Sequence, residues 1–288
     1  MRMDGRRRSN NVQDRRGGGG KSLALGGGIG AVIIAALIAW ISGGNPLDVL
    51  LSNSGTLLSG GQGNTEYVAD EQDKELEEFA AKILAGTEDV WTQEFKKMGL
   101  EYEPPTLVLF NGSVQSGCGG ATSQTGPFYC SADNSVYLDL SFFKEMRQTL
   151  GADGDFAYAY VIAHEVGHHV QNQLGILGQA HQAMSRASEK ESNKISVRLE
   201  LQADYFAGVW AHHDNEMFGS LEPGDIEEAL DAAQKIGDDY LQKKARGYAV
   251  PESFNHGTSA QRERWLKKGI QYGTVDGGDT FSPAYNAL

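Results

Sequence analysis

With 288 residues, 40% hydrophobic and 22% charged, the chain is long enough for one sizeable globular domain or two small ones. Its formal net charge is −13, but the first 22 residues hold +5 and the remainder −18. An acidic body excludes nucleic acid as a partner, because duplex backbones are bound by neutralising them with Lys and Arg.

Residues 1–22 carry Arg2, Arg6, Arg7, Arg8, Arg15, Arg16 and Lys21 against Asp4 and Asp14. They run straight into SLALGGGIGAVIIAALIAWISGG, in which Leu23 to Ile41 contains no charge. Nineteen residues at ~1.5 Å each make ~28 Å, close to the hydrocarbon thickness of a bilayer, so the run predicts a transmembrane helix over 23–41. A cleaved signal peptide would have a shorter apolar run and a small-x-small site, which AWISGGNPL does not offer. Positive flanks stay inside, so 1–22 reads as a basic cytoplasmic N-terminus and the chain beyond about residue 45 as periplasmic or extracellular. GGGGKS at 17–22 imitates a phosphate-binding loop. Arg15 stands where its first glycine is required and no strand precedes it, which rejects the match. Gly26 and Gly30 make a lone GxxxG, a weak helix-packing signal.

Residues 42–69, rich in Gly, Ser and Asn, read as a flexible linker, with folded material beginning near Asp70 and one folded body over 70–288. Apolar residues recur at helical spacing over 70–99, with acids early and lysines late. PPTLVLFN (104–111) and NSVYLDLSFF (134–143) each read as a strand, and either could bind a peptide by edge pairing. Between them lie Cys118 and Cys130. In an oxidising compartment such a pair suits a disulfide closing a small loop; the alternative is two unrelated thiols. The C-x(2–4)-C spacing of a cysteine zinc site is missing.

Helices follow: 155–175, ended by Gly175; a polar linker containing His181; a long helix starting near Ser188; one over 222–245 with Pro223 in its first turn; and a last one capped by Thr258 or Ser259. The fold class expected is α+β, mainly helical with a small sheet.

The helix at 155–175 contains His164-Glu165-Val166-Gly167-His168. Positions i and i+4 share a helix face, so two imidazoles there can hold one Zn²⁺, and Glu165 can reach a water bound to it. A catalytic zinc takes three protein ligands. RLELQADYFAG offers Glu200, with Asp204 one turn on to accept from the outer nitrogen of a ligating histidine. Rivals for the third position are His181, His212 and His213. The histidine pattern HExxHxxGxxH is not met, since Gln171 and Leu174 occupy the decisive places. His169 points ~100° away from His168 and is expected to support or pack. In FNHGTSAQRERW, His256 and Arg262 are candidates for stabilising an oxyanion, although His256 suits a plain helix-entry position equally well.

HEVGHHVQ, ELQAD and NHGTSAQR, together with the CGGA and YC segment and the basic head, resemble the bacterial neutral zinc metallopeptidase family (YpfJ-like). The likeness runs from the arginine-rich start to residue 273. The ExxxD element also resembles that of HtpX-type membrane metallopeptidases. Those have several membrane helices, so this second likeness is confined to the catalytic elements. The resemblance implies His164, His168 and Glu200 as zinc ligands, Glu165 as general base and Asp204 in support. The reading that follows is a membrane-anchored zinc endopeptidase acting on proteins or peptides. The alternatives are an envelope binding or assembly protein with a structural zinc site, and a zinc amidase acting on cell-wall peptides.

Overall fold

The computed structural model describes residues 1–16, 67 and 69–288. The transmembrane helix expected at 23–41 lies outside these residues, as does nearly all of the linker expected at 42–69. Among the described residues no helix is long and apolar enough to cross a membrane.

Helix α1 spans Glu71–Lys97. Asp70 caps it by accepting from the Asp73 amide, and the Asp73 carboxylate answers to the Asp70 amide. Its apolar face buries Ile83, Leu84, Trp91 and Phe95.

The main sheet has four strands in the order β1-β2-β6-β5. They are β1 (Val12–Asp14), β2 (Thr106–Phe110), β6 (Ser135–Asp139) and β5 (Phe128–Cys130). The first three run parallel and β5 is antiparallel to β6. A separate hairpin joins β3 (Ser113–Ser116) to β4 (Gly119–Thr122). Neither segment expected to offer a free edge does so. β2 and β6 are both interior, because β1 covers one flank and β5 the other. The edge on the side of the Asp155–Gln173 helix is β5.

Packed chain begins well before Asp70. Residues 1–16 lie against α1 and β2: the Leu107 amide donates to Asn11 O at 2.8 Å, the Arg15 amide to Leu109 O at 2.8 Å and the Ser9 amide to Ala81 O at 3.1 Å.

The rest is helical. After β6 a short helix α2 (Ser141–Glu145) widens into a π turn over Met146–Leu150. There follow α3 (Asp155–Gln173), α4 (Ile176–Met184), α5 (Glu189–Phe218), α6 (Asp225–Lys235), α7 (Asp238–Arg246) and α8 (Ser259–Tyr272). Ser188 caps α5, and Thr258 caps α8 through a reciprocal pair with Gln261. Mainly helical with a small sheet is therefore the observed class.

Two stretches differ from expectation. The polar linker around His181 is α4, whose Leu177 and Ala180 bury against Leu199 of α5. Polar residues on its outer face hid the short apolar stripe. The single helix expected over 222–245 is two, α6 and α7. The chain breaks at Gly237 because that residue lies on the start of α8: a Cβ there would come within 2.3 Å of Ser259 N. Pro223 precedes α6 rather than sitting inside it, and Gly224 takes the capping position.

Helix α5 is the central rod, packed on α3 and α8. Its Gly208 meets Gly269 of α8 so closely that a Cβ on Gly269 would stand 2.0 Å from Tyr205 O. This crossing brings α8, and with it Arg262, against the middle of α5.

Candidate metal centre

His164, Glu165 and His168 lie on α3, and Glu200 and Asp204 on α5. What lets the two helices share a site is Gly167. A Cβ there would sit 2.9 Å from Ala203 O and 3.1 Å from Ala203 Cα. Gly167→Ala should therefore invert the usual ranking. Alanine ordinarily stabilises a helix by about 1 kcal/mol over glycine, whereas overpacking costs about 1–3 kcal/mol. We expect a lower Tm and weaker metal binding. A variant with unchanged Tm and metal content would show that the close approach is not needed.

Three donor sets converge in the gap. His164 Nε2 lies 3.2 Å from Glu200 Oε2, and His168 Nε2 lies 3.4 Å from Glu200 Oε1. All ligand atoms of this trio fall within 4.8 Å of one another. Ligands at ~2.05 Å from a tetrahedral ion are separated by ~3.3 Å. The spacing thus fits one small divalent ion held by two imidazoles and a carboxylate. Glu165 is 9% exposed and lines the same cavity.

Behind the donors is a buried polar cluster. Asp204, fully buried, takes the outer nitrogen of His164 at 2.8 Å (Nδ1 to Oδ1). Arg262 clamps the same carboxylate with two bonds, Nε to Oδ2 at 2.9 Å and Nη2 to Oδ1 at 2.8 Å. The Tyr160 hydroxyl donates to Asp204 Oδ1 at 2.6 Å and accepts from Arg262 Nη2 at 3.2 Å. Burial alone would raise the Asp204 pKa, but Arg262 and then His164 hold it below the carboxylate range. Burial likewise opposes charge on His164, yet Asp204 overrides it and lifts the imidazole to about 10. Glu200 is driven well down, with burial opposed first by His168 and then by His164. The pocket is thus built to favour positive charge between the histidines and Glu200. Burial raises Tyr160 well above 10, so its hydroxyl keeps its proton.

His168 is oriented differently. Its Nδ1 pairs with Gln171 Oε1 at 2.9 Å, and the Gln171 amide donates to Leu199 O at 2.7 Å and Gln202 Oε1 at 3.1 Å. His169 turns away from the site. It is 1% exposed, bonded to Glu103 O at 2.7 Å and to the Tyr129 hydroxyl at 3.0 Å, and burial lowers its pKa to about 4. It packs α3 onto β5 as a neutral ring.

His256 does reach the cavity wall. Its Nδ1 lies 3.1 Å from Asp238 Oδ1, and Asp238 Oδ2 accepts the amides of Asn255, His256 and Gly257 at 2.8, 2.8 and 3.0 Å. Burial lowers the His256 pKa and Asp238 more than restores it, leaving it raised. Arg262 also borders the cavity, but Asp204 and Tyr160 hold its guanidinium.

Among the rivals for the third ligand, His181 lines the cavity from α4 but lies outside the converging trio. His212 and His213 are elsewhere, bonded to Ile270 O and Gly273 O at the end of α8. Cys118 and Cys130 are joined in a disulfide, and Cys118 with Phe128 and Tyr129 forms one wall of the cavity. Sequence reasoning missed Tyr160, Gln171 and Asp238. Gln171 follows His168 by three, a helical neighbour spacing that could have flagged it. Nothing local joins Asp238 to His256.

The profile described as "Putative neutral zinc metallopeptidase" matches residues 1–281. The chain belongs to that neutral zinc metallopeptidase family. It is 48% identical over 287 residues to "Uncharacterized protein YpfJ" of Escherichia coli (strain K12), covering 98% of this chain and 99% of that protein. It is 45% identical over 193 residues to "Uncharacterized protein Rv2575" of Mycobacterium tuberculosis (strain H37Rv), 64% of each. No solved structure matches it. The family implies zinc, and the donor set of His164, His168 and Glu200 suits that ion in type and spacing.

Proposed function

We propose that the chain is a membrane-anchored zinc metalloendopeptidase. The observation that carries the reading is the coincidence, in one largely apolar cavity, of a three-ligand site with a glutamate that is not one of the ligands. A structural zinc site would have no use for Glu165, and four protein ligands are usual there.

His164, His168 and Glu200 would hold the ion. Bound there, zinc would polarise the scissile carbonyl and lower the pKa of a coordinated water. Glu165 takes the proton of the attacking water and returns it to the leaving amine. Asp204, locked by Arg262, fixes the tautomer and tilt of His164, and Gln171 does the same for His168. His256, backed by Asp238, donates from the cavity wall toward the carbonyl oxygen as negative charge develops on it. The free edge of β5 is the place for an extended peptide to pair. The apolar stretch 23–41 attaches the protein to a membrane, and the body faces an oxidising, extracytoplasmic compartment in which the Cys118–Cys130 bond persists.

The test compares zinc-loaded with chelator-stripped protein on a mixed-peptide library and on peptidoglycan fragments. Zinc-dependent cuts in the library are expected. Cuts confined to the peptidoglycan fragments would favour the amidase, and no cuts anywhere would remove the enzyme reading. Glu200→Ala should lose stoichiometric zinc and turnover together; a variant keeping both would refute the third ligand.

A further inference from the structure

The cavity that contains the candidate metal ligands measures about 670 Å³, and its lining runs from α2, α6 and α7 past His164 and His168 to β5, α4 and α5. Its size is that of a ligand site rather than a packing defect. Toward the start of α3 it is walled by Phe142, Met146, Leu150, Val161, Ile236 and Leu241. Past the end of α3 it is walled by Tyr129, Leu177, Met184 and Leu199. Besides the candidate ligands, the acidic and basic residues of the lining are Glu145, Glu165, His181, Lys244, His256 and Arg262, the last already engaged by Asp204. The lining is mostly apolar, Thr125, Ser131, Thr149, His181 and Ser196 aside, so a polar side chain placed there gives up more hydration than it regains.

We propose that the substrate is an extended peptide carrying bulky apolar residues on both sides of the bond cut. The chemistry matches that of the core segments of unfolded proteins, where such residues adjoin. The proposal rests on the peptidase reading of the site. The lobes lie on either side of His164 and His168, so a chain crossing the site places one neighbouring side chain in each.

The experiment uses full-length Glu165→Gln protein loaded with zinc, so that peptide is held and not consumed. Binding of two fluorescent peptides is read by anisotropy, one with Phe and Leu flanking the central bond, the other with Ser and Gly. At least tenfold tighter binding of the first is expected. Adding Ala245→Trp, which fills the part of the cavity toward the start of α3 from an exposed helical position, should erase most of that ratio. Equal binding of the two peptides, or a ratio untouched by Ala245→Trp, overturns the proposal. Because binding needs no turnover, this failure is separate from a failure of the wild type to cut peptides.

The packing of residues 1–16 carries a second inference independently. Arg6 is buried in an ion pair with Asp214 of α5, its Nη1 3.1 Å from Oδ2. Asn11 Nδ2 bonds Glu88 Oε1 at 2.8 Å, and β1 is a strand of the main sheet. Arg16 pairs with Glu77 of α1, and its Nη1 lies 3.4 Å from the Tyr67 hydroxyl. Residues 16 and 67 therefore meet. We infer that residues 1–16 and the body from residue 69 onward lie on the same side of any membrane the protein meets. It differs from the orientation expected from the arginines, in which the N-terminus is cytoplasmic and the body extracytoplasmic. Arg8 and Glu78 are both solvent-exposed, at 47% and 43% of their side chains. Single variants Arg8→Cys and Glu78→Cys are treated with a membrane-impermeant maleimide in intact spheroplasts, scored above the parent chain, with permeabilised cells confirming that both react. Both labelled, or both protected, is expected. One labelled and one protected overturns the inference.

Discussion

Glu165→Gln is expected to lower kcat/KM for peptide cleavage by about 10²–10⁴-fold while zinc content stays stoichiometric, the range for removal of a general base. The residue lies on α3 between the two histidines, lines the cavity and is outside the ligand trio. The glutamine keeps the shape and the polarity but cannot accept a proton. Metal binding should be untouched, because His164, His168 and Glu200 are unchanged. The check is parallel measurement of turnover and bound zinc on the same preparation. Retained turnover would move the base to another group. Lost zinc would mean that Glu165 helps hold the site together, and the structural-site alternative would gain.

The largest effect on stability is expected from Asp204→Ala. Asp204 is fully buried and Arg262 is 3% exposed, so truncation strands a guanidinium in the core. Breaking a buried pair in this way costs about 3–5 kcal/mol. His164 also loses the acceptor at its Nδ1, for which losses of about 10–100-fold in metal affinity are usual. Denaturant unfolding of the metal-free protein separates the first effect from the second, which is read by competition with a chelator. A double cycle with Arg262→Met should be strongly non-additive, because the second change removes the orphaned charge. Additive losses would show that the two residues act independently and would undo the account of Asp204 as a carboxylate locked in place.

How legible the site was depended on how local its geometry is. His164 and His168 are one helical turn apart, so their shared face follows from the period of the helix. Glu200 and Asp204 are likewise one turn apart, so they too share a face. That the two turns face each other depended on Gly167 at Ala203, which no spacing rule supplies. The disulfide was readable as a pairing of two cysteines, but its place on the cavity wall was not. His256 was ambiguous in sequence because its backing acid, Asp238, begins a helix that the sequence pattern merges with the one before it. The break at Gly237 comes from the start of α8, a contact between distant segments.

The arginine-rich start shows the limit most directly. As sequence, Arg6, Arg7, Arg8 and Arg16 before an apolar run look like a topogenic signal. In the structure they are spent on acids of the body: Arg6 on Asp214, Arg7 on Glu88 and Asp89, Arg8 on Glu77 and Glu78, and Arg16 on Glu77. Charge alone does not say whether its partner is lipid or protein. β1, three residues long, has no periodicity to announce it, and only β2 makes it a strand.

By itself, then, the sequence determined what is encoded within a turn or two of helix: the residue types of the candidate ligands and base, their shared faces, the starts of α1, α5 and α8, and the family. Only the tertiary structure decided which face meets which. It set the approach of α3 to α5 at a glycine, the Arg262 clamp on Asp204, the apolar lobes beside the site and the return of residues 1–16 to the body. These depend on contacts between segments tens to hundreds of residues apart, where burial and close packing, not local period, set the geometry.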